Sequence, residues 1–358
     1  MSLTSVKEEV LPLKRYETKL LPVNEQSLRL AEALLRGGEL VGLPTETVYG
    51  LGADALNEQA VPKIYSAKGR PQDNPLIVHI YESGQLQDLA ARVPDRAQRL
   101  IERFWPGPLT LILPKHGRVP DCVTAGLPTV AVRCPSHEGA RALLRSGVVI
   151  AAPSANLSGR PSPTTAQHVW HDLAGRIPLI LDGGPCQVGL ESTVVDVSRD
   201  RAVLLRPGGV TREMLQEALG EEVALGKGVM EPLAETDKPL SPGLKHTHYK
   251  PKARVLLFLG EGQALYAGLS AAFDRAVAEG QSPVLLCQDG LAKDLAPRAS
   301  LSLGADEQQM AARLFAALRE ADELGHDLVL LQGVSQQGVG LAVMNRALRA
   351  AGFEVRRC

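Results

Sequence analysis

Four cations in the first two thirds of the chain stand where a charged small molecule could be held. Lys68 and Arg70 flank a glycine in Ala67-Lys68-Gly69-Arg70-Pro71-Gln72-Asp73-Asn74-Pro75-Leu76. Glycine lets the backbone approach a ligand and a guanidinium grips two phosphate oxygens at once, so the pair reads either as a phosphate clamp or as a solvated basic turn. Arg133 ends the apolar run Thr129-Val130-Ala131-Val132-Arg133, where it could hold a carboxylate or face water. Arg206 opens Arg206-Pro207-Gly208-Gly209. Hydroxyls and amides sit in neighbouring loops: Pro44-Thr45-Glu46-Thr47-Val48-Tyr49-Gly50-Leu51, Gly189-Leu190-Glu191-Ser192-Thr193, and Ala152-Pro153-Ser154-Ala155-Asn156-Leu157-Ser158-Gly159 running on to Ser162 and Thr164. The last of these could bind a ligand or cap a helix beginning near Thr164.

Other chemistries find little support. No GxxxxGK[ST] phosphate loop and no GxSxG nucleophile elbow occurs, and Gly50-Leu51-Gly52 only loosely imitates a dinucleotide fingerprint. The five cysteines, Cys122, Cys134, Cys186, Cys287 and Cys358, include no CxxC pair, which argues against a disulfide framework and a zinc site. His246 and His248 are two ligands at most, too few for a metal site. With 39 Lys+Arg against 40 Asp+Glu the net charge is -1, and only 4% of residues are aromatic, which disfavours stable nucleic-acid binding. No apolar run is long enough to span a membrane, and the N-terminal residues lack the apolar centre of a signal peptide, so a cytoplasmic protein is expected.

The elements that would position these loops follow from hydrophobic spacing. Short β-rich runs (ELVGLP, PLIVHI, LTLILP, TVAVRCP, VVIAAPS, IPLILD, STVVDVS, AVLLRP) alternate with helical patterns in NEQSLRLAEALLRGG, QLQDLAARVPDRAQRLIERFW and HEGARALLRSG. Each polar loop directly follows or lies within an apolar strand. This predicts a mixed α/β domain over residues 1–225, its sheet largely buried. Residues 226–252, Pro-containing and without periodicity, read as a linker or lid. Residues 253–358 then alternate strand and helix as a small Rossmann-like three-layer α/β domain. Its loop Gly333–Gly340 could bind an anion at the following helix or simply turn the chain.

Taken together and in order, PTETVYGL, KGRP with NPL, the strand-end arginine, SANLSG, the Ser192-Thr193 pair and RPG resemble the YrdC-like superfamily. With the second domain, the chain resembles the two-domain L-threonylcarbamoyladenylate synthases. The resemblance implies a YrdC-like twisted mixed sheet with helices. It also implies a nucleotidyltransferase that converts L-threonine, bicarbonate and ATP to L-threonylcarbamoyl-AMP and pyrophosphate. In that family the product feeds tRNA processing: a tRNA threonylcarbamoyl-transferase machinery uses it to form threonylcarbamoyladenosine at position 37.

By the same resemblance, Thr47, His79, Arg133 and Ser192 would bind threonine. Lys68, Arg70, Asn74, Thr129, Ser154, Asn156, Ser162, Arg206 and Tyr249 would bind ATP, with Lys68 and Arg70 acting catalytically on the phosphates. Mg²⁺ would arrive with ATP rather than occupy a site of its own. The linker would close over the pocket, Tyr249 reaching the nucleotide. An RNA-binding module of the same fold without adenylyl transfer is the alternative. A carbamoyl-transferring or hydrolytic relative would carry zinc-finger and acylphosphatase segments, which this sequence lacks.

Overall fold

The computed structural model describes residues 15–232 and 249–358. Most of the expected linker, including His246 and His248, lies outside the described residues.

Among the described residues, eleven strands form one mixed sheet: β1 (Lys19–Pro22), β2 (Val41–Leu43), β3 (Gly50–Asp54), β4 (Ile77–His79), β5 (Leu109–Pro114), β6 (Thr129–Arg133), β7 (Ile150–Ala151), β8 (Leu179–Asp182), β9 (Thr193–Asp196), β10 (Val203–Arg206) and β11 (Ala224–Leu225). Their order across the sheet is β1-β8-β2-β3-β7-β4-β6-β5-β9-β10-β11. Helices including Glu25–Arg36, Val61–Lys68, Asp95–Phe104 and Ala166–Leu173 cover it, so its strands read as near-continuous apolar runs rather than alternating ones.

Strand pairing explains why chemistry concentrates at one place. Strand β4 runs parallel to β6 with His79 opposite Arg133, and β5 runs antiparallel with Thr110 opposite that same arginine. Side chains two apart on a strand share a face. His79, Arg133 and Thr110 therefore project on the side where Ile77, Ala131 and Ile112 form a small apolar cluster with Val194 and Leu205. That cluster is the floor on which the polar groups stand.

The second sheet is parallel throughout, in the order β14-β13-β15-β12-β16, from β12 (Arg254–Leu259), β13 (Pro283–Cys287), β14 (Ser300–Ser302), β15 (Leu328–Gln332) and β16 (Val355–Arg357). One face packs under the helix Gly262–Ala278, the other under Glu307–Glu323 and Gly340–Ala350, giving the three-layer Rossmann-like arrangement. Among the described residues no helix is long and apolar enough to cross a membrane.

Several elements differ from the sequence expectation. The run QLQDLAARVPDRAQRLIERFW is not one helix but a 3₁₀ turn, Ser83–Asp88, and a helix, Asp95–Phe104, because Pro94 bars the preceding residue from helical geometry. Strand β3 carries two glycines and little strand propensity. Tertiary packing requires them: a Cβ on Gly52 would come within 2.6 Å of Leu43 and 2.7 Å of Ile150. The short strands β1, β14 and β16 gave no separate signal.

Candidate active site

The turn between β2 and β3 builds itself from its threonines. Thr45 Oγ1 accepts from the Thr47 and Val48 amides (3.2 and 3.3 Å) and donates to the Val48 carbonyl at 2.6 Å. This aims Thr47 Oγ1 at Arg133, whose Nη1 donates to it at 2.7 Å. Behind the arginine stands Glu46, its Oε1 2.6 Å from Nη2. The two atoms form an ion pair but not an aligned hydrogen bond, so an Nη2 proton is left for another acceptor. Burial pushes the Glu46 carboxyl up, but the Arg133 charge beside it, helped by backbone hydrogen bonds, outweighs burial and holds the pKa below the usual range.

His79 is buried beside the same arginine. Burial first, then the Arg133 charge, lowers its pKa to about 3, so the imidazole is neutral. Its Nδ1 lies 3.2 Å from the Ile77 carbonyl, which calls for the proton there and leaves Nε2 an acceptor. Ser192 closes this end: its Oγ is 2.7 Å from Thr110 Oγ1 and accepts from Arg206 Nη2 at 3.1 Å. Arg206 Nε also donates to the Ser192 carbonyl at 3.0 Å. The loop after Arg206 runs so close to this strand end that a Cβ on Gly208 would meet the Thr193 nitrogen at 2.5 Å, so only glycine fits.

The loop from Ser154 to Thr164 forms the opposite wall, tied to the first turn by the Tyr49 amide on the Pro163 carbonyl (2.9 Å) and the Ala155 amide on the Tyr49 carbonyl (2.8 Å). Lys68 holds it from beneath. Its Nζ donates to the carbonyls of Ser154 and Asn156, each at 2.5 Å. Burial, and then the neighbouring Arg70 charge, lowers the pKa of Lys68 well below its ordinary value. Ser154 Oγ donates to Asn156 Oδ1 (2.5 Å) and Ser162 Oγ to Glu191 Oε1 (2.5 Å), so both serines present their oxygens as acceptors. Glu191 remains ionised, its pKa lowered because Arg346, Arg206 and Ser162 together outweigh its burial.

These walls line a small, partly open cavity of about 60 Å³. All four expected threonine residues, Thr47, His79, Arg133 and Ser192, line it. So do six of the expected ATP residues: Arg70, Ser154, Asn156, Ser162, Arg206 and Tyr249. Three others do not. Lys68 lies behind the wall, its ammonium turned to the loop backbone. Thr129 sits at the far end of β6 from Arg133, opposite Pro114. Asn74 is fully buried beside Arg70, its side-chain amide without a hydrogen-bond partner among the described residues.

Sequence reading did not single out Glu46, Glu191 or Arg346. The first two stood inside quoted motifs, and a carboxylate amid buried hydroxyl residues was the available signal. Arg346 offered none, since it sits in an ordinary helical pattern 155 residues from Glu191 along the chain.

A family model described as Telomere recombination, for Sua5, YciO and YrdC, matches residues 33–208. A second, described as Threonylcarbamoyl-AMP synthase, C-terminal domain, matches residues 210–352. A Bacillus subtilis protein named threonylcarbamoyl-AMP synthase is 47% identical over 95% of this chain and 97% of its own. The chain belongs to the threonylcarbamoyl-AMP synthase family. A Pyrococcus abyssi synthase is 44% identical over 93% of this chain and 96% of its own. The crystal structure of P. abyssi Sua5 complexed with L-threonine superposes with a TM-score of 0.90 at 43% identity, covering 95% of this chain and all of that one. Membership of the synthase family makes the chain a two-domain enzyme.

Proposed function

We propose that this pocket joins L-threonine, bicarbonate and ATP into L-threonylcarbamoyl-AMP, releasing pyrophosphate. One observation carries the reading: a single cavity is lined by a carboxylate-binding grip, Arg133 with Thr47, and by two cations suited to phosphates, buried Arg206 and half-buried Arg70. The P. abyssi relative is described in complex with L-threonine, which supports seating the amino acid here.

Threonine would lie with its carboxylate on Arg133, its amine and hydroxyl among the acceptors of His79 and the hydroxyls of Thr47 and Ser192. A neutral His79 suits this place, because an imidazolium would repel the ammonium group. Once the ammonium has released a proton to solvent, the amine lone pair attacks the bicarbonate carbon, forming the N–C bond as water leaves, and a carbamate oxygen then attacks the α-phosphorus while the bond to the β-phosphate oxygen breaks. The chain's contribution is positioning and charge stabilisation. Burial lowers the pKa of both Arg70 and Arg206 to about 10, so each remains charged at neutral pH and meets the phosphates with little water to screen it. Arg70 has donors to offer: Nε has no partner among the described residues, and Nη2 makes only long contacts, 3.5 and 3.4 Å, to the Asn74 and Pro75 carbonyls. Asn74, a buried amide lacking partners, fits a nucleotide contact once the loop adjusts. Lys68 supports the Ser154–Asn156 wall.

The described residues around the pocket do not make a resident Mg²⁺ site. Among the described residues no three His, Cys, Asp or Glu gather as a metal site, and Glu191, which lines the pocket, and Glu46, behind Arg133, are each ion-paired to an arginine. Magnesium would enter with ATP, held on the phosphate oxygens. The product, an activated carbamoyl group on AMP, suits transfer to a tRNA nucleoside by a separate enzyme. The test is pyrophosphate release from MgATP with threonine and bicarbonate omitted in turn: loss in both cases is expected, and unchanged release without threonine would contradict the reading.

A further inference from the structure

The second domain reaches the pocket through two buried arginines. Arg346, on the helix Gly340–Ala350, is fully buried, with Nε 2.8 Å from Glu191 Oε2 and Nη1 donating to the Pro207 carbonyl at 2.9 Å. Its guanidinium also lies 5.7 Å from the centre of the Tyr249 ring, which in turn packs on Phe315 at 5.0 Å. Arg319, on the helix Glu307–Glu323, pairs with Asp172 at 2.8 Å and donates to the Pro161 carbonyl at 2.5 Å. Val48 and Leu190, from the pocket's own loops, are buried in the core of the second domain. Gly189 lies so close to the helix Glu307–Glu323 that a Cβ there would fall 2.4 Å from the Ala312 backbone.

Ser162 is held between these two arginines. The carbonyl before it is fixed by Arg319, and its hydroxyl donates to Glu191, whose other oxygen belongs to Arg346. A carboxylate only accepts, so the Ser162 proton must point at Glu191, and its oxygen faces the pocket as an acceptor. Such an oxygen suits a hydroxyl or amino donor of a nucleoside, and does not suit a phosphate. We infer that the second domain is a working part of the nucleotide pocket, and that Arg346 is a positioning residue that orients Ser162 through Glu191 to accept a hydrogen bond from the nucleoside of ATP. This rests on the assignment of Ser162 and Tyr249 to the nucleotide end.

The test uses the full-length protein and compares KM for ATP with KM for threonine in Ser162→Ala, Arg346→Met, Arg346→Lys and the pair Arg346→Met with Glu191→Gln. The pair removes both buried charges together, so it remains informative where Arg346→Met alone fails to fold. Ser162→Ala and the pair should each raise KM for ATP about tenfold, the effect of one aligned hydrogen bond to a charged network, and leave KM for threonine within about twofold. Arg346→Lys, which keeps the charge, should recover part of the ATP affinity. Equal rises for both substrates would mean that Arg346 only holds the fold, and a normal ATP KM in the folded pair, with Ser162→Ala impaired, would overturn its positioning role. A normal ATP KM in Ser162→Ala would remove the nucleotide assignment itself and this inference with it.

Discussion

Glu46 and Arg133 form an ion pair at 2.6 Å with both side chains buried, at 6% and 4% exposure. Removing one member of such a pair strands the other charge. Glu46→Gln should lower unfolding free energy by about 3 kcal/mol. It should also make the protein more responsive to threonine, because the substrate carboxylate can take over as partner of Arg133. Urea unfolding with and without saturating threonine checks this: the ligand-induced gain should be larger in the variant than in the wild type. A gain no larger than in the wild type would separate Arg133 from the threonine carboxylate.

Arg133 itself should be selective between the substrates. Arg133→Ala is expected to weaken threonine binding by about 2 to 5 kcal/mol, while ATP binding changes far less. Calorimetric titration with each ligand reads the two effects, after circular dichroism has verified the fold. Equal losses would place the arginine in the scaffold.

For Arg70 the expected outcome is kinetic. Its guanidinium makes only long contacts to protein and lines the cavity, so Arg70→Ala should reduce turnover about 10²-fold with little change in thermal stability. Steady-state pyrophosphate release measures the first and thermal unfolding the second. Near-normal turnover would make the basic turn a surface feature after all.

Legibility in the sequence followed physical range. The strands carrying His79, Arg133 and Arg206 were visible as apolar runs, and their polar ends were visible as motifs, because burial on both faces leaves a compositional trace. The inward turn of Lys68 was not visible: whether an ammonium faces a ligand or the backbone of its own loop depends on contacts formed with Ser154 and Asn156, more than 80 residues away. The resemblance puts Thr129 at the site, yet it lies at the other end of the strand that delivers Arg133. The clasp of Arg346 on Glu191 joins positions 155 apart and has no local signature. Two-residue periodicity finds strands, but it cannot say which helix of a second domain will cover them.

Acid sensitivity follows from the buried imidazoles. His79 titrates at about 3 in the folded protein against an ordinary 6.5, and half-buried His168 at about 4. Between those values the unfolded chain binds protons that the folded chain refuses, so stability is complete above about pH 6.5 and declines as pH falls towards the folded values. His79 alone should contribute about 1.4 kcal/mol per pH unit in that window, and His168 less because solvent screens it. Asp172, lowered to about 2 despite its burial by Arg319 and Arg160, extends the decline below pH 3.8. Urea unfolding at pH 7, 6 and 5 should show this slope, reduced by about one proton in His79→Gln. An unchanged slope in that variant would mean that His79 is protonated in the folded state.

The most direct measurement follows a carbon atom. Supplied with L-threonine, MgATP and isotopically heavy bicarbonate, the purified full-length protein is predicted to give an adenylate whose mass includes both threonine and the heavy carbon, with one pyrophosphate released for each molecule formed. An adenylate without the label, or AMP and pyrophosphate produced at the same rate when threonine is absent, would contradict a pocket built to join all three substrates.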